Sequence, residues 1–134
     1  MGLAFRALAS IKHRGFAMAL CFALIAPVAF AQAPQQLETT MKNMLAAVQA
    51  NSLANFTAAG DAAFQQGMNQ AMLDGVNAQL APRLNQGYTS TFLGSLNQLG
   101  YTVYLWKLVF KDGKDDRLVT MAVKDGKVGG FYLR

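Results

Sequence analysis

Three apolar runs between Tyr101 and Leu133, separated by turn residues, constrain this chain more than anything else in it, because any fold must keep water off most of them. Tyr101 to Lys111 is rich in β-branched and aromatic residues and is followed by Asp112-Gly113, so it reads as a strand. Arg117 to Lys124 and Lys127 to Leu133 flank Asp125-Gly126, a dipeptide suited to the positive φ of a type I′ hairpin turn. The three form an antiparallel meander. A two-residue loop pairs Lys124 with Lys127, Val123 with Val128, Met121 with Gly130 and Val119 with Tyr132. Side chains alternate with period two, so Tyr104, Trp106, Leu108 and Phe110 share a face with Val119, Met121, Val123 and Tyr132. Val103, Leu105, Val109, Leu118, Ala122, Phe131 and Leu133 fall on the other. With both faces apolar, the sheet calls for cover on both sides: helices on one, a partner subunit or a curled-over cavity on the other.

The first 31 residues have the layout of a secretory signal peptide. Arg6, Lys12 and Arg14 precede an apolar run from Phe16 to Phe30, and Ala29-Phe30-Ala31 offers a small-residue cleavage site. That run contains Pro27 and falls short of the roughly 20 residues a bilayer span needs. The expectation is cleavage after Ala31, with only transient membrane contact, and a periplasmic or secreted chain of residues 32–134 forming one domain. The leader also holds the only cysteine, Cys21, and the only histidine, His13. Without it there is no disulfide, thiol nucleophile, imidazole base or Cys/His metal ligand, and neither a metal nor a cofactor is expected. The formal charge of +5 falls by the three leader cations to +2. Lys111, Lys114, Lys124 and Lys127 alternate with Asp112, Asp115, Asp116 and Asp125, which describes a solvated loop surface and argues against nucleic acid as a partner.

Upstream of the meander the periodicity is helical. Leu37, Met41, Met44, Leu45 and Val48 recur at spacings of three and four and predict a helix to about Ala50. Asn51-Ser52 breaks it, and Ser52 caps a short helix over Leu53 to Ala59 that ends at Gly60. Ala62 to Met68, with only Phe64 and Met68 as sizeable apolar residues, reads as a loop or short irregular turn. Asn69 caps a third helix carrying Met72, Leu73, Val76, Leu80 and Leu84, which Pro82 should kink or divide after Gln79. Asp74 falls on its solvent side. Tyr88 to Leu99 predicts a fourth strand, bent and shorter than its neighbour. The fold class is therefore α+β, with N-terminal helices packed on a curved antiparallel sheet of three to four strands.

That order, together with Asn55-Phe56, Gly60-Asp61, Phe64, Gly87-Tyr88, Leu93-Gly94, Leu105-Trp106-Lys107 and Asp125-Gly126-Lys127-Val128-Gly129-Gly130-Phe131, resembles the nuclear transport factor two-like superfamily. This α+β cone fold includes ketosteroid isomerase and SnoaL-like cyclases. The resemblance implies a helix-lined cone, often with a ligand pocket, and a homodimer formed by apposed sheets. It extends over most of residues 32–134 in short, low-specificity pieces, and fold alone does not fix function.

Enzymes of that fold work with an Asp or His in the cone. Here the carboxylates of the hairpin loops are explained by turn formation, and Glu38 by the dipole at the start of a helix. Asp61 and Asp74 remain, with Tyr88 or Tyr101 as partners, for an isomerase, cyclase or dehydratase; capping explains Asp61 as well. The main reading is a binding or accessory domain that holds a small apolar ligand and dimerises. Tyr104, Trp106 and Tyr132 would wall the pocket, and Lys107, which interrupts an apolar strand face, would supply its cation. Gly129-Gly130 leaves room for a close neighbour or a bulge.

Overall fold

The apolar spacing of the first segment folds as helix α1, Gln35–Ala50, in a computed structural model that describes residues 32–134. The predicted leader lies outside the described residues. Met41, Met44, Leu45 and Val48 of α1 are buried, as their period requires. Asn51 ends the helix in the left-handed region at φ 52°, a conformation that asparagine tolerates, and its N–H bonds back to the last turn. Ser52 then caps α2, Leu53–Thr57, accepting from the Asn55 N–H at 3.3 Å.

Residues 62–67 are a regular helix, α3 (Ala62–Gly67), where the sequence predicts a loop or short irregular turn. Two local devices replace the missing apolar stripe. The Asp61 carboxylate accepts from the Phe64 N–H at 2.8 Å, and the backbones of Ala59 and Asp61 bond to Val128 at 2.9 Å each, clipping this corner to the sheet. Helix α4, Gln70–Asn85, runs unbroken through Pro82, so of the two expectations there, a kink or a division after Gln79, the division does not occur. Proline removes the N–H that would reach Ala78, but Ala78 and Pro82 are both exposed, so water can satisfy the orphaned carbonyl.

The four strands form one antiparallel sheet in sequence order: β1 (Tyr88–Gln98), β2 (Tyr101–Phe110), β3 (Arg117–Lys124) and β4 (Lys127–Leu133). The fold class read from the sequence holds. Trp106 pairs with Val119 and Tyr104 with Met121, which puts the expected β2 and β3 residues on the helix-covered face. β1 is not shorter than its neighbour, at 11 residues against 10 in β2, and it is bent as expected, by a bulge between Phe92 and Gly94, where Gly94 takes φ 142°.

The pairing of β4 differs from the expected one. Val123 faces Val128 as predicted, but Ala122 then faces Gly130 and Met121 faces Phe131, because Gly129 is an extra residue on β4. A one-residue slip exchanges the faces. Phe131 and Leu133 turn inward to pack on the core, and Tyr132 turns outward with 56% exposure. Glycine suits position 129 because a Cβ there would lie 2.5 Å from the Tyr101 ring.

The helices cover one face of the sheet, and there Trp106, Leu108, Val119 and Met121 are sealed from solvent by α1 and α4. Among the described residues no helix covers the other face: Val103 is buried there among its strand neighbours, but Leu96, Val109 and Tyr132 are exposed. Asp112 does more than shape its turn. The Arg83 guanidinium at the end of α4 donates to both its oxygens, at 2.6 and 3.3 Å, and lies 4.0 Å above the Phe110 ring.

That hydrogen bond holds the Asp112 carboxyl below its usual range, with the Lys114 N–H assisting. A depressed folded-state pKa contributes stability that is full above the unfolded value of about 3.9 and disappears as pH falls through the folded one. The stability gap between wild type and Asp112→Asn, followed by urea unfolding, should be constant at neutral pH and shrink below about pH 4.

Candidate functional site

Asn69 accepts from the Met72 N–H at 2.9 Å and so fixes the start of α4 directly after α3. Met72 and Val76, four residues apart, then present one helical face to the edge of the sheet. Opposite them, Phe131 and Leu133 project from β4, two residues apart and brought inward by the bulge at Gly129. Phe56, Phe64 and Met68 close the floor. Phe56 meets Phe131 edge-on at 5.7 Å and Phe64 at 5.8 Å, so the floor is a set of interlocked rings. The result is a groove of about 510 Å³ with no carboxylate in its lining.

Val76 and Leu133 also border a smaller adjoining recess, lined further by Gln79, Leu80, Arg83 and Arg117. Arg83 is already committed to Asp112 and to the Asp115 carbonyl at 2.6 Å. Arg117 makes no ion pair among the described residues.

A polar cluster occupies a different part of the interface between helices and sheet. Glu38, in the first turn of α1, accepts from the Trp106 indole N–H at 2.6 Å, lies 3.3 Å from the Lys42 ammonium and accepts from the Ser90 hydroxyl at 3.4 Å. Trp106 is completely buried and packs at a tilt against Phe92, with ring centroids 5.5 Å apart, and Tyr104, at 6.2 Å. Burial pushes the nearby Tyr88 phenol above its usual range, with Lys42 opposing and Glu38 reinforcing that shift. A shallow depression beside Glu38 and Phe92 is lined further by Gln32, Ala33 and Gln35. The Glu38 carboxylate is engaged in holding the indole, where the sequence assigns it only to the helix dipole. Another hollow, between α1 and α2, is walled largely by alanines.

The four residues expected to bind ligand do not converge. Tyr104 and Trp106 belong to the Glu38 cluster. Lys107 is exposed on the uncovered sheet face, between Thr91 and Leu118 in the pairing. Tyr132 sits on that same face and reaches only the rim of the groove. The period-two alternation separates Lys107 from Trp106, and the bulge carries off Tyr132. Met72 and Val76 read from the sequence as ordinary core stripe, and a register unbroken by the bulge puts Phe131 and Leu133 outside, so the sequence does not bring the four together.

The residues weighed for catalysis are also dispersed. Asp61 caps α3. Asp74 is exposed and accepts from Asn51 and Gln70 side-chain amides at 2.7 and 2.8 Å, which hold its carboxyl below the usual range. Tyr101 lies over Gly129. Among the described residues no carboxylate accepts a hydrogen bond from a tyrosine hydroxyl.

No protein-family model matches this chain, and no curated protein does. Among solved structures, an uncharacterised cystatin-fold protein from Novosphingobium aromaticivorans is similar at 13% identity and a TM-score of 0.37, over 74% of this chain and 97% of that one.

Proposed function

We propose that the chain is an exported binding or accessory domain of the nuclear transport factor two-like superfamily, holding a small apolar ligand in the groove between α4 and β4. The observation that carries this reading is the acid-free, aromatic-floored groove of about 510 Å³, a size within the range of small-molecule sites. Its methionines, Met68 and Met72, are side chains that adapt to varied apolar shapes. The order of helices followed by a bulged four-strand meander supports the superfamily assignment. The domain dimerises through the uncovered sheet face, where Leu96, Val109 and Tyr132 would lose water against a twin about a C₂ axis.

Native mass spectrometry on the full-length chain expressed in an exporting host tests all three elements together. The expected species is a dimer of residues 32–134 with a retained apolar molecule. A monomer carrying nothing would contradict both the dimer and the ligand.

A further inference from the structure

The binding reading leaves open what kind of apolar molecule the groove takes, and the charge distribution along α4 bears on this. From Met72 to Arg83 the groove and the recess that adjoins it follow α4 for about 16 Å, at the helical rise of 1.5 Å per residue. It is apolar along Met72, Val76 and Phe131 and becomes polar only at the far recess. There the charge of Arg83 is met by Asp112, and Asp115 and Asp116 stand on the exposed loop outside the lining. Arg117 is left as the cation bordering the end of an apolar channel. It belongs to the inward-facing set of β3 residues with Val119 and Met121, beside Leu133.

A neutral hydrocarbon would satisfy the channel and leave the guanidinium unused. A compact anion would meet Arg117 but gain nothing from the apolar walls. We infer, resting on the binding reading above, that the occupant is a free single-chain aliphatic carboxylate of medium length. Its chain lies along Met72, Val76 and Phe131, and its head is paired with Arg117. Guanidinium and carboxylate match in a planar, two-bond geometry, while the walls select for the alkyl chain.

Isothermal titration with decanoate, decanol and butyrate, below micellar concentrations, on wild type and Arg117→Gln, tests this. Arg117 is exposed, so its replacement leaves the core intact. Decanoate should bind wild type more tightly than decanol, and butyrate should not bind. In Arg117→Gln the decanoate affinity should fall about fivefold, the scale of a solvent-screened ion pair, with decanol unchanged. Equal binding of decanoate and decanol, unaffected by Arg117→Gln, would overturn the carboxylate assignment and leave the apolar groove standing. Failure of both ten-carbon ligands would overturn the groove itself. Association with anionic vesicles in place of the free acid would assign the face to a membrane surface and also overturn the inference.

Discussion

Trp106→Ala is expected to lower the unfolding free energy by about 3–5 kcal/mol, enough to leave a domain of ordinary stability marginal. The indole has no solvent exposure and packs against Phe92 and Tyr104, so removing it leaves a cavity that the sheet cannot close by moving one side chain. It also strips Glu38 of its hydrogen-bond donor. The two effects can be separated because the Glu38 side chain keeps 28% of its exposure and rehydrates when the donor is lost. Trp106→Phe, which keeps most of the ring and loses the N–H, should therefore cost less than Trp106→Ala. Glu38→Gln, which keeps an acceptor oxygen, should cost less again. Urea unfolding followed by circular dichroism gives the order. Equal losses for the phenylalanine and alanine variants would mean that the hydrogen bond to Glu38 outweighs the packing.

Deletion of Gly129 should cost about 2–4 kcal/mol and, on the proposed function, abolish binding in the groove. Without the extra residue, β4 pairs one to one with β3, Phe131 and Leu133 turn outward, and Tyr132 turns toward the core. Two partly buried large side chains lose their contacts, each worth up to roughly 1.5–3 kcal/mol when fully buried. Gly129→Ala is the informative control. It keeps the residue count, and the Tyr101 ring that its Cβ would meet is the mobile end of a half-buried side chain that can swing aside. Its cost should stay below about 1 kcal/mol. A deletion no worse than this substitution would show that the bulge does not set the facing of β4.

The meander was legible because β-branched and aromatic composition, period two and an Asp-Gly turn all agree over Tyr101 to Leu133. The apolar stripes of α1 and α4 were equally direct. What escaped the sequence depended on contacts between distant residues. α3 is held by the Asp61 cap and by backbone bonds to Val128, neither of which leaves an apolar period. Pro82 marked a break, but two exposed residues made the lost hydrogen bond inexpensive. Arg83 and Asp112 are 29 positions apart and each has an ordinary local explanation. The candidate site suffered most, since one bulged glycine decides which of Phe131, Tyr132 and Leu133 face inward. The Gly-Gly pair signalled that a bulge was possible, without saying that it occurred.

The groove can be observed directly through its methionines. Met68 and Met72 line it, whereas Met41, Met44 and Met121 lie in the sealed core. In protein carrying ¹³C-labelled methionine methyls, saturation with decanol should shift the Met68 and Met72 resonances and give nuclear Overhauser contacts from the alkyl chain to those two methyls. The three core methyls should stay in place. Contacts to the core methyls instead, or none to any methionine in a sample shown to be folded, would contradict a ligand site between α4 and β4.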